Sequence, residues 1–326
     1  MDTPKQLLLN GKVYECRGGE TVLEALLRQR VEVPFACRQQ VCMSCIMRSL
    51  NGAPPPASQL NLKETLRVQN NFLACGCYPE RDMEIALPQE LIVHQVSAEV
   101  VELNRLNPVV LELVLQCDTP LDYRAGQAVL LMNVELLGKR LPIVSPSSAK
   151  GAGRYEIHVE RIPGGFFSEW VHEQLRVGDK MALCGVDGEL FYVLGQSRKP
   201  LLLAGWNGGL GALMGILQDA FENDHTGPVD LFHGAARQDY LYFVEEITEI
   251  GHYYPNFHYV RCVEQGPAPD GCYAGPVTAA VKAQLPKLAD WAVYLCGPRE
   301  RVHQMQRQAY LAGVAMKEIY CEITEI

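Results

Sequence analysis

Cys37-Arg38-Gln39-Gln40-Val41-Cys42-Met43-Ser44-Cys45 is the stretch that decides the first part of the fold. Its spacing is C-x4-C-x2-C, and a fourth thiol, Cys75, follows after 29 intervening residues. Four thiolates at this plant-type spacing suit a 2Fe-2S cluster, in which four cysteines hold two irons. A zinc site would call for paired C-x2-C or C…H knuckles of equal reach. Zinc and plain buried thiols are the alternatives to the cluster. Cys77 makes a C-x-C with Cys75 and offers a second thiol there; the cluster needs one, and Cys75 is assigned.

Outward from the loop, Gln6–Leu9 reads as a strand, Asn10-Gly11 as a turn, and the residues through Tyr14 as a second strand. Thr21-Val22-Leu23-Glu24 has the capping-box pattern, followed by Val22, Leu23, Leu26 and Leu27 on one helical face. Hairpin, helix and cysteine loop in this order are those of a β-grasp ferredoxin. Ala53–Ala57, with three consecutive prolines, reads as a surface loop between Cys45 and Cys75.

The texture changes near residue 95. Short alternating runs at 96–103, 109–116, 128–132, 155–159 and 180–184 are punctuated by turns at Ala125-Gly126, Pro163-Gly164-Gly165 and Val177-Gly178-Asp179, and predict an antiparallel barrel or sandwich. From about 198 the pattern is βα. The run Pro200–Ala204 enters Gly205-Trp206-Asn207-Gly208-Gly209-Leu210-Gly211, and a helix with Leu210, Leu213, Met214, Leu217 and Phe221 on one face follows. Further strands are expected at 229–233, 257–263 and 291–296, which makes this part α/β with a mainly parallel sheet. The glycine-rich loop lies between strand and helix, where free N–H groups and the helix dipole attract phosphate, although it does not spell G-x-G-x-x-G. Tyr294-Leu295-Cys296-Gly297-Pro298 is a second strand end, and ligands of open α/β sheets bind at such ends.

The chain has 326 residues, room for two or three domains. Its net charge is −9; residues 1–92 carry ten basic and ten acidic side chains, so the deficit (19 basic against 28 acidic) lies beyond them. No basic stripe is present, so nucleic acid is not an expected partner. The first residues lack a basic, then apolar leader and no apolar run reaches spanning length, so no membrane association and a cytoplasmic location are expected. In that reducing setting clustered thiols serve metals. Cys16, Cys117, Cys184, Cys262, Cys272 and Cys321 are scattered and expected to pack.

In domain order and motifs the chain resembles the reductase components of bacterial multicomponent oxygenases, of the phenol hydroxylase, toluene monooxygenase and methane monooxygenase type, within the ferredoxin–NADP reductase superfamily. The carriers of the resemblance are Tyr123-Arg-Ala-Gly-Gln127, Pro163-Gly-Gly-Phe-Phe-Ser168, Val177-Gly-Asp179, Gly185-Val-Asp-Gly188, His233-Gly-Ala-Ala-Arg237 and Tyr294-Leu-Cys-Gly-Pro298. It implies a multidomain fold of α+β and α/β parts: a β-grasp 2Fe-2S ferredoxin domain (1–92), an antiparallel β-barrel flavin domain (93–197) and a Rossmann-like parallel-sheet nicotinamide domain (198–326). It further implies that Arg140 neutralises the flavin pyrophosphate, as a guanidinium can bidentately. Leu141, Pro142 and Ile143 complete that flavin motif, and Gly165, Phe166, Phe167 and Ser168 form a second phosphate contact. Gly205, Asn207, Gly208, Gly209, Gly297 and Pro298 shape the nicotinamide site, Arg237 stands near the adenosine ribose, and Cys296, beside the nicotinamide, and Glu322, facing the nicotinamide or the flavin, are the catalytic residues.

The resemblance also defines departures. The family's R-x-Y-S reads Arg140-Leu-Pro142-Ile143, family glycines in the cluster loop are Gln40 and Met43, and Gly205–Gly209 carries one residue more than G-G-T-G. Glycine at those loop positions permits positive φ, so Gln and Met are expected to be strained there. The implied function is electron transfer from NADH through FAD to the 2Fe-2S cluster and on to a terminal oxygenase, a hydroxylase or its electron carrier. FAD is favoured over FMN, and NADH over NADPH because Arg237 alone offers itself to a 2′-phosphate. Two other readings stay open: an electron donor to a deoxysugar-forming dehydratase, and a degenerate, redox-sensing accessory protein of the same fold.

Overall fold

Asn10 and Gly11 take φ of 52° and 74° and turn β1 (Lys5–Leu9) back into β2 (Lys12–Cys16), as a two-residue hairpin of this sequence should. The computed structural model describes residues 3–88, 95–135 and 137–324. In α1 (Val22–Arg28) the capping box forms: Glu24 N–H donates to Thr21 Oγ1 at 3.2 Å and Thr21 N–H to the Glu24 carboxylate at 2.9 Å. The helix buries Val22, Leu23, Ala25 and Leu26. β3 (Ile46–Ser49), α2 (Glu64–Arg67), β4 (Asn71–Leu73) and β5 (Met83–Ala86) follow. The sheet order is β2-β1-β5-β3-β4, with β1 and β5 parallel and the other pairs antiparallel, which is the grasp arrangement. Leu7, Leu26, Met47, Phe72 and Leu73 are fully buried beneath it. The expected surface loop at 53–57 instead runs into a 3-10 turn, Pro56–Gln59, because Ser58 and Gln59 are drawn inward and Gln59 Nε2 donates to the Asn71 carbonyl at 2.7 Å.

The chain divides into two compact units, Met1–Val93 and His94–Ile326. The boundary expected at 92/93 lies outside the described residues; that expected at 197/198 falls within the second unit. There, β6 (Gln95–Arg105), β7 (Val110–Cys117), β8 (Ala128–Met132), β9 (Gly138–Pro142), β10 (Arg154–Glu160), α3 (Phe166–Glu173) and β11 (Lys180–Asp187) come first. The strands pair antiparallel in the order β10-β7-β6-β11-β8-β9. Val144 N–H, just past β9, donates to Glu156 O in β10 at 2.8 Å and draws the two ends of the sheet together. β9 has no alternating apolar pattern and owes its strand form to β8 beside it.

Next come β12 (Leu201–Trp206), α4 (Gly209–Glu222), β13 (Val229–Ala235), α5 (Val244–Tyr253), β14 (Phe257–Val263), β15 (Cys272–Ala274), α6 (Val277–Gln284), β16 (Ala292–Gly297), α7 (Arg299–Leu311) and β17 (Ile319–Ile323). This sheet is parallel throughout in the order β15-β14-β13-β12-β16-β17. β12, β13 and β16 are buried at every position, hence the nearly continuous apolar runs of β12 and β16; β13 also buries Asp230 and His233. β12 has β13 on one side and β16 on the other, so the carboxyl end of β12 is the switch point of the sheet. Contacts across the second unit explain why its two sheets form one body: Ser147 N–H donates to Asp219 at 2.7 Å and Asn107 Nδ2 to Tyr240 O at 2.7 Å.

Candidate redox sites

In the first unit, the loop after α1 turns through Arg38, Gln40 and Met43, whose φ values are 55°, 59° and 58°. These left-handed residues fold the chain tightly enough that Cys37 N–H donates to Cys42 Sγ and Cys42 N–H to Cys37 Sγ, both at 3.4 Å, while Gln39 N–H donates to Cys37 Sγ at 3.3 Å. Cys45 is buried, and its carbonyl accepts from Ala74 N–H at 3.0 Å, which brings Cys75 alongside. The Cys45 thiol lies close enough to Cys75 to share hydrogen bonds with it. The four sulfurs thus fall into two pairs, Cys37 with Cys42 and Cys45 with Cys75. Among the described residues no three His, Cys, Asp or Glu side chains are set around a single metal ion. A two-iron cluster asks for two thiols per iron, and two pairs are on offer. N–H groups aimed at sulfur favour the thiolate, and Ser44 above all lowers the Cys42 thiol to about 6. Cys77 is different: it is fully buried, its sulfur 4.0 Å from Met83 sulfur, and burial pushes it up to about 12. It belongs to the core.

In the second unit, Arg140 lies on β9, opposite Leu130 of β8. Its Nε and Nη2 donate to Asp187, at the end of β11, at 2.9 and 2.6 Å, and its Nη1 donates to Glu322 of β17. Burial pushes the Glu322 carboxyl up to about 7 although Arg140 pulls it down. Burial likewise works against the Arg140 charge, but Glu322 and Asp187 hold its pKa above the ordinary value. Leu141 and Ile143 have their side chains in the barrel core, and Pro142 is buried at the end of its strand. Ile143 exchanges backbone hydrogen bonds of 2.8 Å with Gly126 and Gln127, so its N–H and carbonyl are both engaged within the barrel. At α3, Gly165 is an N-cap without a side-chain bond, leaving first-turn N–H groups available. Phe166 is 83% exposed, Phe167 is buried, and the Ser168 hydroxyl is engaged with Ile162 and Gly165 backbone. A partly open guanidinium and an uncapped helix start fit an organic pyrophosphate.

The carboxyl ends of β12, β16 and β17 converge at the switch point. Gly205, one residue before the end of β12, lies opposite Cys296, and Cys296 is in register with Glu322. A Cβ on Gly209 would lie 2.3 Å from the Cys296 carbonyl oxygen, so only glycine lets α4 start this close to β16. Gly208, the α4 N-cap, also lacks a side-chain bond, which leaves its helix start open to phosphate. Asn207, at φ 47°, donates from Nδ2 to Glu160 at 2.6 Å and accepts on its carbonyl from Tyr242 Oη at 3.0 Å. Cys296 is fully buried and its thiol is pushed far up by burial. Gly297, at φ 149°, packs on Trp206, and Pro298 caps α7. Arg237 stands apart, in a cleft of roughly 650 Å³ with Gln238, Asp239, Gln265, Gly266 and Pro267, and is forked onto Asp239 at 3.0 and 3.2 Å.

Residues 7–80 match the family model of the 2Fe-2S iron-sulfur cluster binding domain, and residues 207–308 that of the oxidoreductase NAD-binding domain. The chain is 30% identical over 305 residues to the phenol hydroxylase P5 protein of Acinetobacter pittii, covering 88% of this chain and 84% of that protein. It is 30% identical over 329 residues to the phenol 2-monooxygenase reductase component of Pseudomonas sp. strain CF600, covering 95% and 92%. The chain belongs to the oxygenase reductase components. A crystal structure of the Amycolatopsis cytochrome P450 reductase superposes with a TM-score of 0.69 at 25% identity, over 98% of both chains. The reductase is therefore an NAD(P)H-dependent oxidoreductase that passes electrons through a 2Fe-2S domain. Among its described residues no helix is long and apolar enough to cross a membrane. Motif reading missed three residues that hold the reductase's sites in place: Asp187, Glu160 and Tyr242. Asp187 lay inside a quoted motif without a role; Glu160 and Tyr242 are tied to their partners by the fold alone and leave no local signal.

Proposed function

We propose that the reductase takes electrons from NADH through FAD to a 2Fe-2S cluster held by Cys37, Cys42, Cys45 and Cys75, and delivers them to a terminal oxygenase, a hydroxylase or its electron carrier in the cytoplasm. The three parts 1–92, 93–197 and 198–326 are its ferredoxin, flavin and nicotinamide domains. When bound, the flavin takes two electrons from the nicotinamide and releases them singly, which is chemistry the protein orients but does not itself supply. Arg140 and the first turn of α3, Gly165 to Ser168, grip the flavin pyrophosphate, while Leu141, Pro142 and Ile143 anchor in the barrel the strand end that presents Arg140. Gly205, Asn207, Gly208 and Gly209 receive the nicotinamide pyrophosphate at the start of α4. Cys296, Gly297 and Pro298 floor the nicotinamide side, and Glu322 holds a proton at its carboxyl near neutral pH. The observation that carries this reading is the register of Cys296 with Glu322, together with the Glu322–Arg140 contact. It joins the end of the parallel sheet to the flavin strand.

Arg237 is neutralised by Asp239, whose carboxylate would repel a 2′-phosphate and accept from a ribose hydroxyl. This supports NADH. Iron- and flavin-loaded protein should bleach in the visible on anaerobic NADH addition, and more slowly with NADPH; no bleaching with either would sink the proposal. The internal pairing of Arg140 and the loss of the tyrosine and serine at Pro142 and Ile143 favour, as a second reading, a redox-sensing accessory protein. Cluster bands without flavin bands in purified protein would carry that reading instead.

A further inference from the structure

Gln40 stands between the first two cluster cysteines in a strained conformation, and its side chain turns inward. A Cβ built on Gly76 would lie 2.0 Å from Gln40 Nε2, 2.1 Å from Cδ and 2.6 Å from Cγ. The amide therefore lies against Gly76, between Cys75 and Cys77, and spans from the loop of three cysteines to the segment of the fourth. Gly76 is not among the residues with positive φ, so its backbone does not ask for glycine. The Gln40 side chain does. The Gln40 carbonyl accepts from Asn61 Nδ2 at 3.0 Å, which pins the strut from its other end.

One further atom gives the strut a chemical direction. Gln40 Oε1 is buried with no hydrogen-bond partner, and a buried polar atom left in that state is destabilising. The oxygen and nitrogen of a carboxamide are interchangeable in shape, so rotation about the last torsion brings N–H into that position. The two segments that the amide spans, 37–45 and 75–77, carry the four cluster cysteines, and a thiolate sulfur is an acceptor. We propose that Gln40 is a positioning residue that braces the Cys75 segment against the cysteine loop and donates an amide N–H to a sulfur of the cluster, an inference that rests on the four cysteines being its ligands. An added electron places negative charge on the sulfurs, so a donor there favours the reduced state.

The test uses the full chain with its cluster reconstituted, and potentiometric titration followed by the EPR signal of the reduced cluster. Gln40→Met keeps the length of the side chain and removes the donor; Gln40→Leu gives the same reading where the methionine variant folds poorly. At the wild-type midpoint the ratio of reduced to oxidised protein should fall about tenfold, the equivalent of one hydrogen bond to a charged acceptor. An unmoved or raised potential overturns the donor. For the strut, Gly76→Ala should lose cluster several-fold faster to a chelator than wild type, and Gln40→Ala, which keeps the backbone conformation and removes the amide, should do the same; since both break one contact, the double variant should lose cluster no faster than either single one. A Gln40→Ala chain that keeps the wild-type rate, or effects that multiply in the double variant, overturns it. A wild-type chain that takes up no cluster defeats the ligand assignment itself, a different result from an intact cluster whose potential ignores Gln40.

Discussion

The cysteine loop and the flavin strand both depart from their family's motif, and they absorb the departure differently. In the loop, side chains replace glycine while the backbone stays as glycine would have it: Gln40 and Met43 are held at φ near 59° and 58°. Geometry is kept there and strain of about 1–2 kcal/mol per residue is accepted, because four sulfurs tolerate little displacement. Pro142 ends β9 and Ile143 follows it; Pro142 is buried, and Ile143 turns its side chain into the barrel core. The backbone is relaxed and the polar groups are gone. What polar function remains is gathered at Arg140, Asp187 and Glu322. A metal site thus constrains the chain's path, whereas a site for a large organic cofactor lets functions migrate among neighbouring strands.

The largest effect expected from this contrast is in the loop. Cys75→Ser should abolish the visible absorbance and EPR signal of the cluster, while Cys77→Ser keeps both and lowers stability by about 1–2 kcal/mol in urea melts, as a polar atom placed in the core. The opposite pattern would make Cys77 the ligand and undo the pairing described above.

Next comes the carboxylate clamp on Arg140. Arg140→Ala removes the cation that pulls the Glu322 carboxyl down, so Glu322 must take up a proton while Asp187 loses its partner, and at pH 8 the variant should lose about 1–2 kcal/mol. At pH 6 the loss should be much smaller, since a carboxyl titrating near 7 is then mostly protonated. In the wild type the contribution of Glu322 is fully present below the ordinary carboxylate range, near pH 4.5, and is lost as pH rises through about 7. Urea melts of wild type and Glu322→Gln at both pH values check the sign. The wild type should weaken from pH 6 to 8 relative to the glutamine variant, and a wild type that gains on that variant would show Arg140 outweighing burial.

The smallest effect sharpens the strain argument. Met43→Gly should stabilise the protein by about 0.5–1 kcal/mol, the relief of a left-handed methionine less the entropy of glycine. A loss instead would mean that the methionine side chain contributes more packing than its backbone costs.

Much of this was legible in the sequence because it is local. Thr21 and Glu24 three residues apart, Asn10-Gly11, and the runs at 128–132 and 257–263 each carry their own instruction, and each formed with bounds within a residue or two of expectation. The strain at Gln40 and Met43 was legible too, since a glycine replaced is a φ exposed. β9 and β17 were not legible: Gly138–Pro142 and Ile319–Ile323 become strands by lying beside β8 and β16, an influence from outside their own residues. For the same reason the Arg140–Glu322 contact, across 182 residues, had no signature, and Arg140 was expected to await phosphate, not to hold two carboxylates.

Asn207 has a bearing on binding kinetics. Its side chain is tied to Glu160 and its carbonyl to Tyr242, so the turn that leads into α4 is already ordered at both ends. A dinucleotide arriving there has no floppy segment to freeze and forfeits little chain entropy on docking. On the proposed reading, association at this turn should need no slow loop motion on the way in.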